Sequence, residues 1–334
     1  MEHGARQVRI LNFSRYALSI CAVAAFLAGC GGSQSPISAP GAMPSLTDAS
    51  HIIVDPGYKV SSGLLYVALS GPRSPSNKVQ IYNTRAKNPT PIASITEGVE
   101  EPESVCLDGD GTLYVVNGPG WVSEYALGKT RPFQTITQGI NLPAFCAVDG
   151  SGNLWVTNID GPDVVEYLKG AATPHTTITE GIIYPVGIAI DHAGNMYVAN
   201  HELNGTTNVQ VYPQGSKSPS RTITDGIKWP IGIAVDANAT LYVTNFAPPG
   251  SVQEYRAGHS HPYRAITKEM NGPSAVTFAP SGRMYLTNTE TQGGSGPAPA
   301  ILEFRSGSIK PSKKMITDGL AFPVGSAYYP ALLP

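Results

Sequence analysis

One segment of about 43 residues is written six times along this chain, and a chain that repeats at such a period has few folds open to it. The unit reads Pro-x-Gly-Ile-Ala-Val-Asp, a tight turn ending Gly-Asn, Leu-Tyr-Val-x-Asn, a variable loop, Val-x-x-Tyr, a glycine-containing turn, and Thr-Ile-Thr-x-Gly-Ile-x-x-Pro. Its aromatic anchor recurs at Tyr66, Tyr114, Trp155, Tyr197, Tyr242 and Tyr285, at spacings of 48, 41, 42, 45 and 43 residues. The threonine of the Ile-Thr pair recurs at Thr96, Thr137, Thr179, Thr224, Thr267 and Thr317. The leading proline recurs at Pro102, Pro143, Pro185, Pro230, Pro273 and Pro323. Separate markers thus give the same count.

Each copy holds four β-prone runs of about four to six residues, separated by Gly, Asn, Asp and Pro turns. Four strands per repeat make one propeller blade, so the expected fold is all-β, a six-bladed β-propeller of four-stranded blades. Composition agrees: 36 Gly, 29 Pro and only 14% charged residues among 334 argue against long helices, coiled coils and disordered tails. With 22 Lys and Arg against 24 Asp and Glu, the chain has no electrostatic footprint for nucleic acid. It enters its first full blade at the second strand, Leu64 to Ala68, and ends on an unpartnered first strand, Pro323 to Tyr329. We expect the C-terminal strand to complete the first blade. Ser50 to Asp55 competes for that place but lacks the Pro-x-Gly start.

The N-terminal segment reads as an address. Arg6, Arg9 and Arg15 precede the apolar run Ala17 to Leu27, which is too short to span a bilayer comfortably and has the form of a signal-peptide core. It ends Leu27-Ala28-Gly29-Cys30, which resembles the lipobox of bacterial lipoproteins. That resemblance implies cleavage before Cys30, acylation of its thiol and amine, and a lipid anchor in the cell envelope, stable because several acyl chains act together. Gly31 after the cysteine implies the outer membrane of a Gram-negative cell. The expected organisation is a signal peptide over residues 1–29, a flexible tether over 30–50 rich in Ser, Pro, Gly and Ala, and the propeller over 51–334.

The units Pro185 to Asp191 with Gly194 to Asn200, and their counterparts at Pro230 to Asn245, resemble NHL-type repeats of six-bladed propellers. The superfamily also contains the gluconolactonase and senescence-marker-protein enzymes. The resemblance covers residues 64–329 and implies architecture; it leaves activity open, because a fold does not fix a function. For the enzymes of that superfamily, it implies a divalent metal held over the channel by a Glu, an Asn and Asp residues.

Two kinds of position are candidates for function. The first is the loop after the second strand, which opens with Asn117, Asn158, Asn200, Asn245 and Asn288, with Leu69 in the remaining blade. A residue repeated in every blade fits a scaffold role, since an amide can bond loop backbone at both ends; the other reading is a ring of polar ligands. The second is where symmetry breaks. The same loop is lengthened at Ser70 to Asn77, His201 to Asn208 and Thr289 to Ala300. Tyr184, Trp229 and Phe322 stand before their leading prolines, where they either rim the channel mouth and recognise a sugar or protein, or plug gaps between blades. Glu103 is the one carboxylate just after a leading proline, and is the candidate ligand for a divalent cation such as calcium, with Asn158 or Asn200. Asp108-Gly109-Asp110-Gly111 resembles part of a calcium loop but falls in the common hairpin turn.

Cys106 and Cys146 sit four and three residues after their leading prolines, hence on opposite sides of equivalent strands, and no disulfide between them is expected. The expected protein is a monomeric, lipid-anchored, non-catalytic binding module without a cofactor, taking a protein or carbohydrate on its uneven loop face. The alternative is a metal-dependent hydrolase or lyase of gluconolactonase type.

Overall fold

The computed structural model describes residues 63–70, 77–85, 89–201, 205–289, 298–316, 320 and 322–330. The signal segment, Cys30, the tether and the competing strand Ser50 to Asp55 lie outside the described residues, as do the central parts of the three lengthened loops.

Blade 1 begins with β1 (Leu64–Leu69), β2 (Lys78–Asn83) and β3 (Pro91–Ile95). Blade 2 is β4 (Pro102–Leu107), β5 (Leu113–Asn117), β6 (Trp121–Tyr125) and β7 (Gln134–Ile136). Blade 3 is β8 (Pro143–Val148), β9 (Leu154–Asn158), β10 (Asp163–Tyr167) and β11 (Thr176–Ile178). Blade 4 is β12 (Pro185–Ile190), β13 (Met196–His201), β14 (Thr207–Tyr212) and β15 (Arg221–Ile223). Blade 5 is β16 (Pro230–Val235), β17 (Leu241–Asn245), β18 (Ser251–Tyr255) and β19 (Arg264–Ile266). Blade 6 is β20 (Pro273–Phe278), β21 (Met284–Asn288), β22 (Ala300–Phe304) and β23 (Lys313–Ile316). The last strand, β24 (Pro323–Tyr329), pairs antiparallel with β1, so the sheet order of blade 1 is β24-β1-β2-β3. The C-terminal strand therefore closes the ring, and the inner strands β24, β4, β8, β12, β16 and β20 each touch the next all the way round.

The repeat unit maps onto this geometry piece by piece. Second strands are buried on both faces because each blade is sandwiched between two others, which is why Leu-Tyr-Val-x-Asn shows no polar alternation. The first hairpin turn is held by its aspartate. Asp149 Oδ1 accepts the N–H groups of Ser151 at 2.8 Å and Asn153 at 2.9 Å, while Gly152 takes φ 84°. Asp108 makes the same turn with Asp110 and Thr112, so the calcium-like fragment spends its first carboxylate on its own backbone. The glycine of Pro-x-Gly answers to space. A Cβ on Gly232 would lie 2.2 Å from the Ser274 carbonyl oxygen, and one on Gly187 2.4 Å from that of Ile231, because neighbouring inner strands converge on the axis.

The seams between blades carry the rest of the consensus. In blades 2 to 5 the tyrosine ending the third strand reaches back to the segment arriving from the preceding blade: Tyr125 donates to the Glu97 carbonyl at 2.6 Å, Tyr167 to Gln138 at 2.7 Å, Tyr212 to Glu180 at 2.7 Å and Tyr255 to Asp225 at 2.6 Å. Beneath each hydroxyl lies the glycine of Thr-x-Gly, at φ between 72° and 75°. Apolar clusters fill the seams; one joins Val186 and Ala199 of blade 4 to Ile233 and Val243 of blade 5.

Cys106 and Cys146 form a disulfide, with Cα atoms 5.9 Å apart, contrary to the sequence expectation. Their strand faces are indeed opposite: Cys106 pairs across to Tyr114, whereas it is Ala147, not Cys146, that pairs to the equivalent Trp155. Neighbouring blades stack face to face, however, so a side chain on the forward face of blade 2 meets one on the rear face of blade 3. Opposite parity in adjacent blades is the condition for contact, and both sulfurs lie in one seam cluster with Val116 and Val156.

Two outcomes follow. Gly232→Val, which forces apart the inner strands of blades 5 and 6, lowers unfolding free energy by about 1–3 kcal/mol in denaturant titration, the usual cost of overpacking. Closing a chain segment of 40 residues constrains the unfolded state by roughly 4 kcal/mol in the loop-entropy picture. Cys106→Ala with Cys146→Ala accordingly lowers the denaturation midpoint, and thiol reductant produces the same drop in wild type but none in the double variant.

Candidate functional site

The loops joining second to third strands, and those leading into each inner strand, share one face of the ring, here called the upper face. Each leading proline is followed by a bulge in the pairing of the inner strand. The residue before the proline is left-handed in five blades: Glu101 at φ 43°, Leu142 at 48°, Trp229 at 54°, Gly272 at 66° and Phe322 at 60°. Bulky side chains in that region cost about 1–3 kcal/mol each unless the surroundings fix them. They are fixed by one bond per blade, in which their carbonyls, with that of Tyr184, accept the N–H of the residue that follows the asparagine position of the second strand in the same blade. Examples are Phe246 to Trp229 at 2.9 Å, His201 to Tyr184 at 2.9 Å and Ser70 to Phe322 at 3.1 Å. Tyr184, Trp229 and Phe322 are thereby held half-exposed around the mouth. Tyr184 also packs on the cluster between blades 4 and 5, so it serves the seam as well as the rim.

The five asparagines stand just below this rim and are fully buried. Their amide oxygens accept linker N–H groups: Glu100 on Asn117 at 2.8 Å, Asn141 on Asn158 at 2.9 Å, Ile183 on Asn200 at 3.2 Å, Lys228 on Asn245 at 2.9 Å and Asn271 on Asn288 at 2.8 Å. Their amide nitrogens donate to backbone carbonyls, those of Gly139, Gly181, Gly226 and Glu269 in the last four and that of Val115 for Asn117. Each asparagine thus latches the segment that arrives from the preceding blade. In Asn158, Asn200, Asn245 and Asn288 both ends of the amide are spent on this; in Asn117 the oxygen alone is, its nitrogen bonding its own strand.

What remains chemically distinctive comes from the exceptions. Glu103 occupies a position held elsewhere by Ala144, Val186, Ile231, Ser274 and Val324. Its carboxyl fits because the residue after Asn117 is Gly118, on which a Cβ would lie 3.2 Å from Glu103 Oε1. Burial, with a smaller push from Glu101, raises its pKa to about 8, so it is largely protonated at neutral pH. The same post-asparagine position in blade 4 is His201, the first residue of one of the lengthened loops. Its imidazole is buried, tilted against the Trp229 ring at 5.7 Å between centroids, and Nε2 finds no partner among the described residues. Burial drops its pKa to about 4. Tyr184 is raised above the usual phenol range by burial and then by Glu103. The signal that finds His201 is its slot, which Ser70, Gly118, Ile159, Phe246 and Thr289 fill in the other blades.

A divalent metal of the kind the enzyme resemblance implies does not fit these residues. Among the described residues no three His, Cys, Asp or Glu side chains gather into a ligand set. The amide oxygens of Asn158 and Asn200, the partners expected for Glu103, face backbone N–H donors instead.

No protein-family model matches the chain, and no curated protein matches it in sequence. Solved structures do match it in shape. A protein of unknown function from Bacteroides caccae aligns with a TM-score of 0.61 at 17% identity, covering 80% of this chain and 99% of that one. The hydrazine synthase of Kuenenia stuttgartiensis aligns with a TM-score of 0.54 at 17% identity, covering 66% and 68%. The likeness is one of fold. At this identity it carries the propeller and nothing of the chemistry.

The raised pKa of Glu103 makes stability depend on pH. A carboxyl whose folded pKa exceeds its unfolded value of 4.5 favours the fold when protonated, and its contribution falls by about 1.4 kcal/mol per pH unit between 4.5 and about 8. Glu103→Gln removes that slope, so its melting temperature relative to wild type rises steadily from pH 5 to pH 8, measured by calorimetry across the range.

Proposed function

We propose that this chain is a lipid-anchored protein of the bacterial cell envelope whose propeller binds a neutral carbohydrate at the upper mouth, as a non-catalytic, monomeric module. One observation carries the reading: half-exposed aromatic rings at Tyr184 and Trp229 share the mouth with two acid–base groups, Glu103 and His201, that burial keeps uncharged near neutral pH. Aromatic faces beside neutral hydrogen-bonding groups suit a polyol ring better than an ion. The low overall charge agrees, and gives no purchase to nucleic acid. Phe322 offers a third ring on the rim. A protein loop presenting hydroxyl and amide groups is the other ligand that such a mouth suits.

The envelope assignment rests on the basic, apolar and lipobox-like sequence ending at Cys30, with outer-membrane placement following from Gly31. The Cys106–Cys146 disulfide supports it, because such bonds persist in oxidising compartments. The repeat's resemblance to NHL-type units supports a binding use of the loop face.

Two measurements test the two halves. In a bacterial host, Cys30→Ser abolishes incorporation of labelled palmitate and releases the protein from the membrane fraction; retention of both defeats the anchor. With the purified full chain in mild detergent, glucose and N-acetylglucosamine oligomers are titrated while tryptophan emission is followed. Saturable binding that weakens about tenfold or more, roughly 1.4 kcal/mol, in Trp229→Ala supports the mouth. Binding indifferent to Trp229 refutes it. If no saccharide binds, and a cross-linked protein partner is captured only by Trp229-containing chains, the protein ligand replaces the carbohydrate.

A further inference from the structure

The lower face, where tight turns join first to second strands, shows a second break in symmetry. In four blades the third strand carries a glutamate opposite the anchor aromatic: Glu124, Glu166, Glu254 and Glu303. Each points into the seam towards the next blade, and three meet a partner with donors to spare. Glu124 receives Gln134 Nε2 at 3.1 Å, and Glu303 pairs with Arg283 at 3.6 Å. Blade 5 is the most complete. Arg264, opposite Glu254 on the outer strand, donates to Glu254 Oε2 through Nε and a terminal nitrogen, both at 2.7 Å, and its guanidinium lies over the Tyr263 ring. It also donates to the Gly307 carbonyl of blade 6 at 3.0 Å, while Phe278 of blade 6 closes on Tyr242 at 4.9 Å between centroids. Only about 50 Å³ stays open there.

Blade 3 lacks both fillers. The residue opposite Glu166 is Thr176, and the place of Phe278 is taken by Ile190. A groove of about 610 Å³ opens between blades 3 and 4, within the roughly 300–1,000 Å³ typical of small-ligand sites. Glu166 receives Asn153 Nδ2 at 3.3 Å and meets no cation among the described residues. The anchor aromatic, a buried tyrosine in every other blade, is here Trp155, partly exposed to the groove and steadied by its Nε1 donating to Asp149 Oδ2 at 3.3 Å. Asp191, His192, Lys217 and Tyr212, whose hydroxyl donates to the Glu180 carbonyl, complete the charged and titratable lining.

We infer that the groove between blades 3 and 4 binds a ligand bearing a guanidinium group, paired with Glu166 and lying against Trp155. The fold holds its own example of this recognition, since Arg264 fills the equivalent space in blade 5 with the same glutamate as acceptor and an aromatic ring beneath. Two guanidinium nitrogens converging on one carboxylate oxygen, as Arg264 does on Glu254 Oε2, make a directional pair that an ammonium does not reproduce. The groove exceeds one guanidinium in volume, so the ligand is an arginine, free or within a short peptide. This site is separate from the upper mouth and does not depend on the reading given for it.

The test uses the full chain in mild detergent, with Gly-Arg-Gly, its citrulline and lysine analogues, and L-arginine as probes, read by calorimetry and tryptophan emission. Gly-Arg-Gly or L-arginine binds saturably, and the tighter of the two names the form of the ligand. The citrulline and lysine peptides bind at least about tenfold more weakly, a difference of roughly 1.4 kcal/mol. Glu166→Gln weakens binding by a similar factor. Thr176→Arg, which rebuilds the blade 5 arrangement, abolishes binding while the melting temperature stays at or above that of wild type. If Thr176→Arg does not fold, Glu166→Gln and the citrulline peptide decide. Absence of binding by either arginine probe at millimolar concentration, equal binding of the citrulline or lysine peptide, or unchanged affinity in Glu166→Gln overturns the inference.

Discussion

The buried asparagine at the end of the second strand is the contact on which this ring depends. A propeller blade is a complete antiparallel sheet, and nothing in its own hydrogen bonding tells it where the next blade stands. Asn158 supplies that information: its amide oxygen takes the N–H of Asn141 and its nitrogen donates to the carbonyl of Gly139, both on the segment arriving from blade 2. The segment has no strand partner, so its polar groups would otherwise be buried without bonds, at about 1–3 kcal/mol each. Repeated in five blades, the latch fixes the height at which those inner strands enter the channel, and with it the left-handed turn that raises Trp229 to the rim.

Where that latch is absent, the ring compensates. Blade 1 has Leu69 at the asparagine position, opposite Pro323 of the closing strand. The C-terminal strand brings its own ties: Thr289 Oγ1 donates to the Pro323 carbonyl at 2.6 Å, and Thr287 Oγ1 lies 2.9 Å from Ser326 Oγ, both joining blade 6 to the closing strand. Hydroxyl contacts across this seam thus stand where the other blades have the asparagine.

Much of this was legible in the sequence because repetition separates scaffold from exception. The count of blades follows from the spacing of the Tyr, Thr and Pro markers, and the closure by Pro323 to Tyr329 from the Pro-x-Gly start that Ser50 to Asp55 lacks. The asparagines were legible as either scaffold or ligand, and only coordinates show that both ends of each amide meet backbone. What stayed hidden depends on pairs of residues in different blades. The disulfide is not legible from strand parity, which compares faces within one sheet, whereas stacked blades join opposite faces. Glu103 was noticed but not its companion Gly118, whose missing side chain gives the carboxyl room. The lower groove escaped because Thr176 and Ile190 are ordinary strand residues, and their smallness matters only beside Arg264 and Phe278 in blade 5.

The central claim is that the recurring asparagines are latches, and residue-resolved amide hydrogen exchange tests it most directly. The N–H groups of Glu100, Asn141, Ile183, Lys228 and Asn271 sit in connecting segments that make no strand ladder, and such segments ordinarily exchange through local opening. If the asparagine oxygens hold them, these five amides exchange only with global unfolding, as slowly as those of the second strands. Exchange at the rate of the neighbouring linker amides would show that the ring is held by other contacts, and would return the asparagines to the list of candidate ligands.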